Sequence, residues 1–171
     1  MNDKTITIFG TSKSSDAVYA LAYETGRLLA QAGFAIANGG YDGTMLAAAK
    51  GAAEAGGEAI GVTCSAFKRG KANEYITREI VTSSLDERLD TLVNIGCAYV
   101  VLPGGTGTLL ELAKVWELKN KGFIKEDKAI ILVGGFWKPL VDLVASDDPK
   151  SIRCVRQADG PGQITGLINS Y

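Results

Sequence analysis

The chain has 171 residues, and its 18 Lys and Arg nearly balance 19 Asp and Glu for a net charge of −1, so no basic surface for nucleic acid is expected. Histidine is absent, which excludes zinc sites of the usual Cys/His spacing and Ser-His or Cys-His catalysis, so any general base is a carboxylate. Three scattered cysteines (Cys64, Cys97, Cys154), no visible signal peptide and no bilayer-length apolar run give the expectation of a cytoplasmic protein with no membrane partner.

Residues 5–9, Thr-Ile-Thr-Ile-Phe, predict a first strand that ends at Gly10-Thr11-Ser12. Ser15 or Asp16 caps the helix that follows, whose Val18, Leu21, Ala22, Leu28 and Leu29 recur at helical spacing until Gly33. Residues 34–37 form a short second strand. Asn38-Gly39-Gly40-Tyr41-Asp42-Gly43-Thr44 is then a glycine-rich turn opening an alanine-rich helix over 45–55, whose small side chains suit close packing inside the molecule. Residues 58–63 give a third strand. The polar stretch 64–73, with Lys68, Arg69 and Lys71, reads either as a solvated loop or as a flap over an anionic ligand. A short strand lies within 74–81.

Ser84-x-x-Glu87 is a capping box for a helix over 85–95. Arg88 sits one turn into that helix, whose apolar side includes Leu85, Leu89, Leu92 and Val93. From the residues alone it reads as solvated or paired with Asp86 or Glu87. Residues 98–102 are an apolar strand, followed by a turn and a helix that runs to Gly122 with Trp116 in its core face. Residues 129–133 are a further buried strand, ending at Gly134-Gly135, and a helix starts near Phe136. An edge strand over 152–155 and a last helix over 164–170 complete the chain. Strands alternate with helices without repeats or linkers. The expected fold is therefore α/β: a single doubly wound domain over residues 1–171, with a mostly parallel sheet flanked by helices.

The densest chemistry lies in Pro103-Gly104-Gly105-Thr106-Gly107-Thr108-Leu109-Leu110-Glu111. A strand, a glycine turn and a helix start make an anion site, because the first helical N–H groups lack internal partners and the helix dipole adds positive charge there. Glycines at 104, 105 and 107 let a phosphate approach the backbone, as they do in other phosphate cradles. Glu111 shares the helix face of Gly107 and Thr108, about 6 Å further along the axis by helical rise. There it would meet the far side of a ribose held at its 5′-phosphate. The same letters also spell a capping box, Thr108-x-x-Glu111, in which the carboxylate would only bond backbone N–H. No Gly-Lys-Ser/Thr follows the turn, and Leu110 stands where the dinucleotide fingerprint requires glycine.

The nine-residue run resembles the PGGxGTxxE signature of the Lonely Guy (LOG) family, once mislabelled lysine decarboxylases, over roughly residues 6–144. Asp86-Glu87-Arg88 precedes it at the family's distance, with Asp86 where the family usually has His and Leu89 where it usually has Lys. The resemblance implies a Rossmann-like fold and a phosphoribohydrolase that cuts the N-glycosidic bond of an AMP-like nucleoside 5′-monophosphate. It also implies a homodimer, and Arg88 and Glu111 as the catalytic pair. Substrate and phosphate contacts then fall on Gly10, Thr11 and Ser12, on Gly39 and Gly40 of the first glycine motif, and on Gly104, Gly105, Thr106, Gly107 and Thr108. No cofactor and no metal are expected, since neither glycine turn has a lysine beside it to carry pyridoxal phosphate. The alternative is a module of the same fold that binds a nucleotide or a nucleotide-bearing cofactor without cutting it.

Overall fold

In the computed structural model, which describes residues 4–68 and 71–170, the apolar runs pair into a parallel sheet. Among the described residues its strands are β1 (Thr5–Phe9), β2 (Ala35–Asn38), β3 (Ala59–Cys64), β4 (Arg78–Thr82), β5 (Ala98–Val101), β6 (Ile130–Val133) and β7 (Val155–Ala158). They lie in the order β4-β3-β2-β1-β5-β6-β7, and every neighbouring pair is parallel. The helices are α1 (Asp16–Gln31), α2 (Thr44–Glu54), α3 (Leu85–Ile95), α4 (Thr106–Asn120), α5 (Lys138–Asp147) and the short α6 (Ile164–Ile168). This is the doubly wound, Rossmann-like architecture expected, with the sheet wholly rather than mostly parallel.

The period-2 alternation of the strands sorts side chains into two cores. Ile6, Ile8, Ile36, Ala98 and Val100 face α1, α2 and α6. Phe9, Val62, Tyr99, Val101 and Ile130 face α3, α4 and α5. Tyr99, Ile6 and Ile36 are fully buried, and full burial of side chains of this kind is worth about 1.5–3 kcal/mol each. The alanine-rich α2 lies hard against α1. A Cβ on Gly26 would stand 2.0 Å from the Ala48 carbonyl oxygen, and one on Gly51 would stand 2.1 Å from that of Tyr23. Helix backbones touch there, which at positions 26 and 51 only Gly permits.

Ser15 is the cap of α1, its hydroxyl accepting from the Val18 N–H. One strand falls elsewhere than expected. Ser151–Cys154 is a 3-10 turn, and the edge strand is β7, which begins where the expected strand ends. Ser151 and Cys154 are drawn into the core, where the Trp116 indole N–H donates to the Ser151 carbonyl at 2.9 Å. The paired residues Val155-Arg156-Gln157-Ala158 look polar because they form an edge. No helix among the described residues is long and apolar enough to cross a membrane.

The chain leaves β1 toward β2 on one side and returns to β5 on the other. The carboxyl ends of β1 and β5 therefore diverge into a crevice, the usual ligand position in open α/β sheets.

Candidate active site

A cavity of about 820 Å³ opens at that crevice. The turn after β1 lines it with Gly10, Thr11 and Ser12, and the turn after β5 with Gly105, Thr106, Gly107 and Thr108. Gly105 is the N-cap of α4, and no side chain caps the helix. A Cβ at Gly105 or Gly107 would meet nothing within 4 Å. The start of α4 thus offers backbone N–H groups and positive dipole to the cavity, with open space around them. Gly104 does different work, since a Cβ there would lie 2.2 Å from Thr108 Oγ1. Thr108 is 2% exposed, and among the described residues its hydroxyl has no hydrogen-bond partner. A buried donor of this kind normally has one.

The capping-box alternative for Thr108 and Glu111 does not hold. Thr108 lies inside α4, and the Glu111 carboxylate points across the cavity to α3, where Arg88 Nη1 stands 4.0 Å from Glu111 Oε1. Both residues are buried, at 7% exposure for Arg88 and 8% for Glu111. Burial pushes the Glu111 carboxyl up to about 7, and the Arg88 charge draws it only partly back. A carboxyl in that range exchanges a proton readily near neutrality.

Arg88 is neither solvated nor paired with Asp86 or Glu87. The N-terminus of α3 is built for that: Ser84 Oγ accepts from the Glu87 N–H at 3.2 Å, while Glu87 turns back to accept from the Ser83 N–H at 2.7 Å. With its neighbour occupied, Arg88 runs inward and its Nε donates to the Val62 carbonyl at 2.7 Å. Its guanidinium carbon sits 5.7 Å from the ring centre of Tyr41 and 5.7 Å from that of Phe67, within cation–π range.

Gly39 and Gly40 are near this seat and do not line the cavity. A Cβ on Gly39 would stand 1.8 Å from Arg88 Nη2, and Gly40 (φ +76°) packs against Gly61. Gly104 is likewise behind the lining. The remaining residues come together in one place. The cavity also draws on Met45, Phe67, Lys68, Leu85, Leu89 and Leu110, which the sequence presents as core or loop positions. For Leu85 the signal was available, since it begins its helix one turn before Arg88 on the same side. Arg69 of the basic loop lies outside the described residues.

The arrangement can hold an anion at the start of α4 and set a protonatable carboxyl and an arginine beside whatever the anion is attached to. The SLOG cluster4 family model matches residues 3–158. A cytokinin riboside 5′-monophosphate phosphoribohydrolase of Mycobacterium tuberculosis is 31% identical over 135 residues, spanning 77% of this chain and 71% of that protein. The LOG phosphoribohydrolase of Oryza sativa is 29% identical over 138 residues, spanning 79% of this chain and 57% of that one. Among solved structures, a molybdenum cofactor binding protein of Rippkaea orientalis superposes with a TM-score of 0.82 at 27% identity, covering 99% of this chain and 98% of that one. The molybdenum cofactor carrier protein of Chlamydomonas reinhardtii superposes at 0.78 and 25% identity, covering 96% and 95%.

Proposed function

Because the chain belongs to the LOG-like SLOG cluster4 family, we propose that it is a phosphoribohydrolase, cleaving a purine nucleoside 5′-monophosphate to free base and ribose 5-phosphate. The 5′-phosphate rests on the N–H groups of Gly105 to Thr108, with the Thr108 hydroxyl as a further donor. Cleavage at C1′ passes through an oxocarbenium-like state with positive charge on the sugar. Glu111 as carboxylate stabilises that charge and takes the proton of the attacking water. The C1′–N bond breaks with its electron pair on the base, and the proton passed through Glu111 ends there, so one water is consumed per base released. Arg88 orients Glu111 and bonds the substrate. The observation that carries the reading is the burial of this acid–base pair, 4.0 Å apart, in the cavity onto which the α4 start opens.

Incubation with AMP and chromatographic separation of base from nucleotide tests it. Adenine and ribose 5-phosphate in equal amounts are expected, and intact AMP after prolonged incubation with the wild-type protein would reject the activity. A panel of nucleoside monophosphates then identifies the preferred base, which Leu89, replacing a charge with an apolar wall, helps to set.

A second reading is carriage of a cofactor as cargo, without turnover. The near end-to-end superposition on two molybdenum cofactor proteins favours it. Tight nucleotide or cofactor binding with no base release would support it over hydrolysis. A homodimer is part of the proposal, carried by the family resemblance alone, and light scattering of the purified protein tests it. So is a cytoplasmic setting, supported by the buried thiols of Cys64 and Cys154, which form no disulfide.

A further inference from the structure

The 4.0 Å gap between Arg88 and Glu111 is wider than a contact ion pair, although both groups are buried and oppositely charged. What surrounds Arg88 accounts for the gap. Its Nε is tied to the Val62 carbonyl at 2.7 Å, and its guanidinium lies over the rings of Tyr41 and Phe67. Those rings are themselves packed on each other, with centres 6.3 Å apart.

The rings are held from behind. The Tyr41 hydroxyl accepts from the Cys64 N–H at 2.9 Å and donates to the Cys64 carbonyl at 3.3 Å, at the end of β3. The Phe67 N–H donates to that same carbonyl at 3.1 Å. Asn73, further along the loop that carries Phe67, donates from its side chain to the Tyr41 carbonyl at 2.8 Å and from its backbone to Gly40 at 2.8 Å. Turn, strand end and loop thus form one braced wall behind the arginine.

We propose that Tyr41 and Phe67 are positioning residues: their rings hold the Arg88 guanidinium off the Glu111 carboxylate, so the acid is not consumed in a contact ion pair and stays open to a ligand. The importance of an open acid rests on the reading of Glu111 as the acting carboxylate. The geometry of the brace does not. Among the described residues, the charged groups lining the cavity around Glu111 are Arg88 from α3 and Lys68 from the loop after β3. Without the rings only the Nε bond to Val62 restrains Arg88, and attraction between the two buried charges draws its Nη1 toward the carboxylate.

The test follows the ¹³C signal of the Glu111 carboxyl through a pH titration of the ligand-free protein, in the wild type and in Tyr41→Leu, Phe67→Leu and Tyr41→Phe. The two leucine variants are expected to lower the midpoint by about one unit or more, as a closer opposite charge does. Tyr41→Phe, which keeps the ring, is expected to stay with the wild type. Circular dichroism checks each fold; Phe67 lies on a loop, so Phe67→Leu decides the matter if Tyr41→Leu does not fold. A midpoint that is unmoved or rises in the folded leucine variants overturns the proposal. With AMP, the leucine variants are expected to lose about tenfold in kcat/KM, because Arg88 both orients Glu111 and meets the substrate. If the wild type releases no base, the hydrolase reading fails while the titration still decides the positioning role.

Discussion

Two glycine turns of similar spelling, residues 38–44 after β2 and 103–108 after β5, use the space that glycine leaves in opposite ways. In the first the space is filled by the protein itself. Arg88 occupies the room a side chain on Gly39 would need, and Gly43, at φ +64°, would drive a Cβ to 2.4 Å from the Thr11 carbonyl oxygen. Asn38 stitches this turn together, its amide donating to the Met45 carbonyl at 2.9 Å and its oxygen accepting from the Gly40 N–H at 2.8 Å. In the second turn Gly105 and Gly107 face open space, and no side chain covers the helix start. Likeness in sequence therefore does not mean likeness in role. A glycine whose missing Cβ would collide is structural, whereas the open space at Gly105 and Gly107, beside the cavity at the α4 start, leaves room for a ligand.

The contrast can be broken most severely from the open turn. Glu111→Ala is expected to cut base release from AMP by about 10²–10⁴-fold, the usual worth of a positioned acid or base, in a protein whose circular dichroism remains folded. Next in size is a pH effect on stability. The folded protein holds the Glu111 proton up to about 7, against 4.5 for an ordinary glutamate carboxyl. Between those values the native state binds more protons than the unfolded one, so stability falls as pH rises through that window and is flat above it. Urea unfolding of wild type against Glu111→Gln should show the difference moving by ~3 kcal/mol in favour of the variant from pH 4.5 to 8. An unchanged difference would mean that the acid is not desolvated.

Smaller effects sharpen the comparison of the two turns directly. Gly39→Ala forces a Cβ against Arg88 and Met45 and should cost about 1–3 kcal/mol in urea unfolding, as overpacking does. Gly105→Ala should leave stability within about 0.5 kcal/mol, as at an unconstrained surface position. It should instead raise KM for AMP by about tenfold, because the new methyl stands where the phosphate approaches the backbone. If Gly39→Ala proved harmless and Gly105→Ala destabilising, the assignment of roles would be reversed.

Most of this fold was legible before the structure, because strands buried on both faces and glycine-punctuated helices leave strong periodic signals. The error at 152–155 came from Ile152, which mimics a strand start inside a 3-10 turn, while the true edge strand begins only at Val155 and carries Arg156 and Gln157 in its register. Of the site, the α4 start and Glu111 were legible because a strand, glycines, a helix and a carboxylate follow one another within a few residues. The seat of Arg88 was not. It joins Gly39 and Tyr41 from one turn, Val62 from a strand and Phe67 from a loop, and only the pairing of β2 with β3 brings them together. Tyr41 in particular reads as an ordinary turn residue until its ring is seen against the guanidinium.

The most direct test of the central claim is a crystal structure of the Glu111→Gln protein with AMP bound. The account predicts the 5′-phosphate on the backbone N–H groups of Gly105 to Thr108 and the side chain at position 111 facing the anomeric carbon. A phosphate lodged in the turn at 39–43, or a side chain at 111 turned away from the sugar, would contradict it.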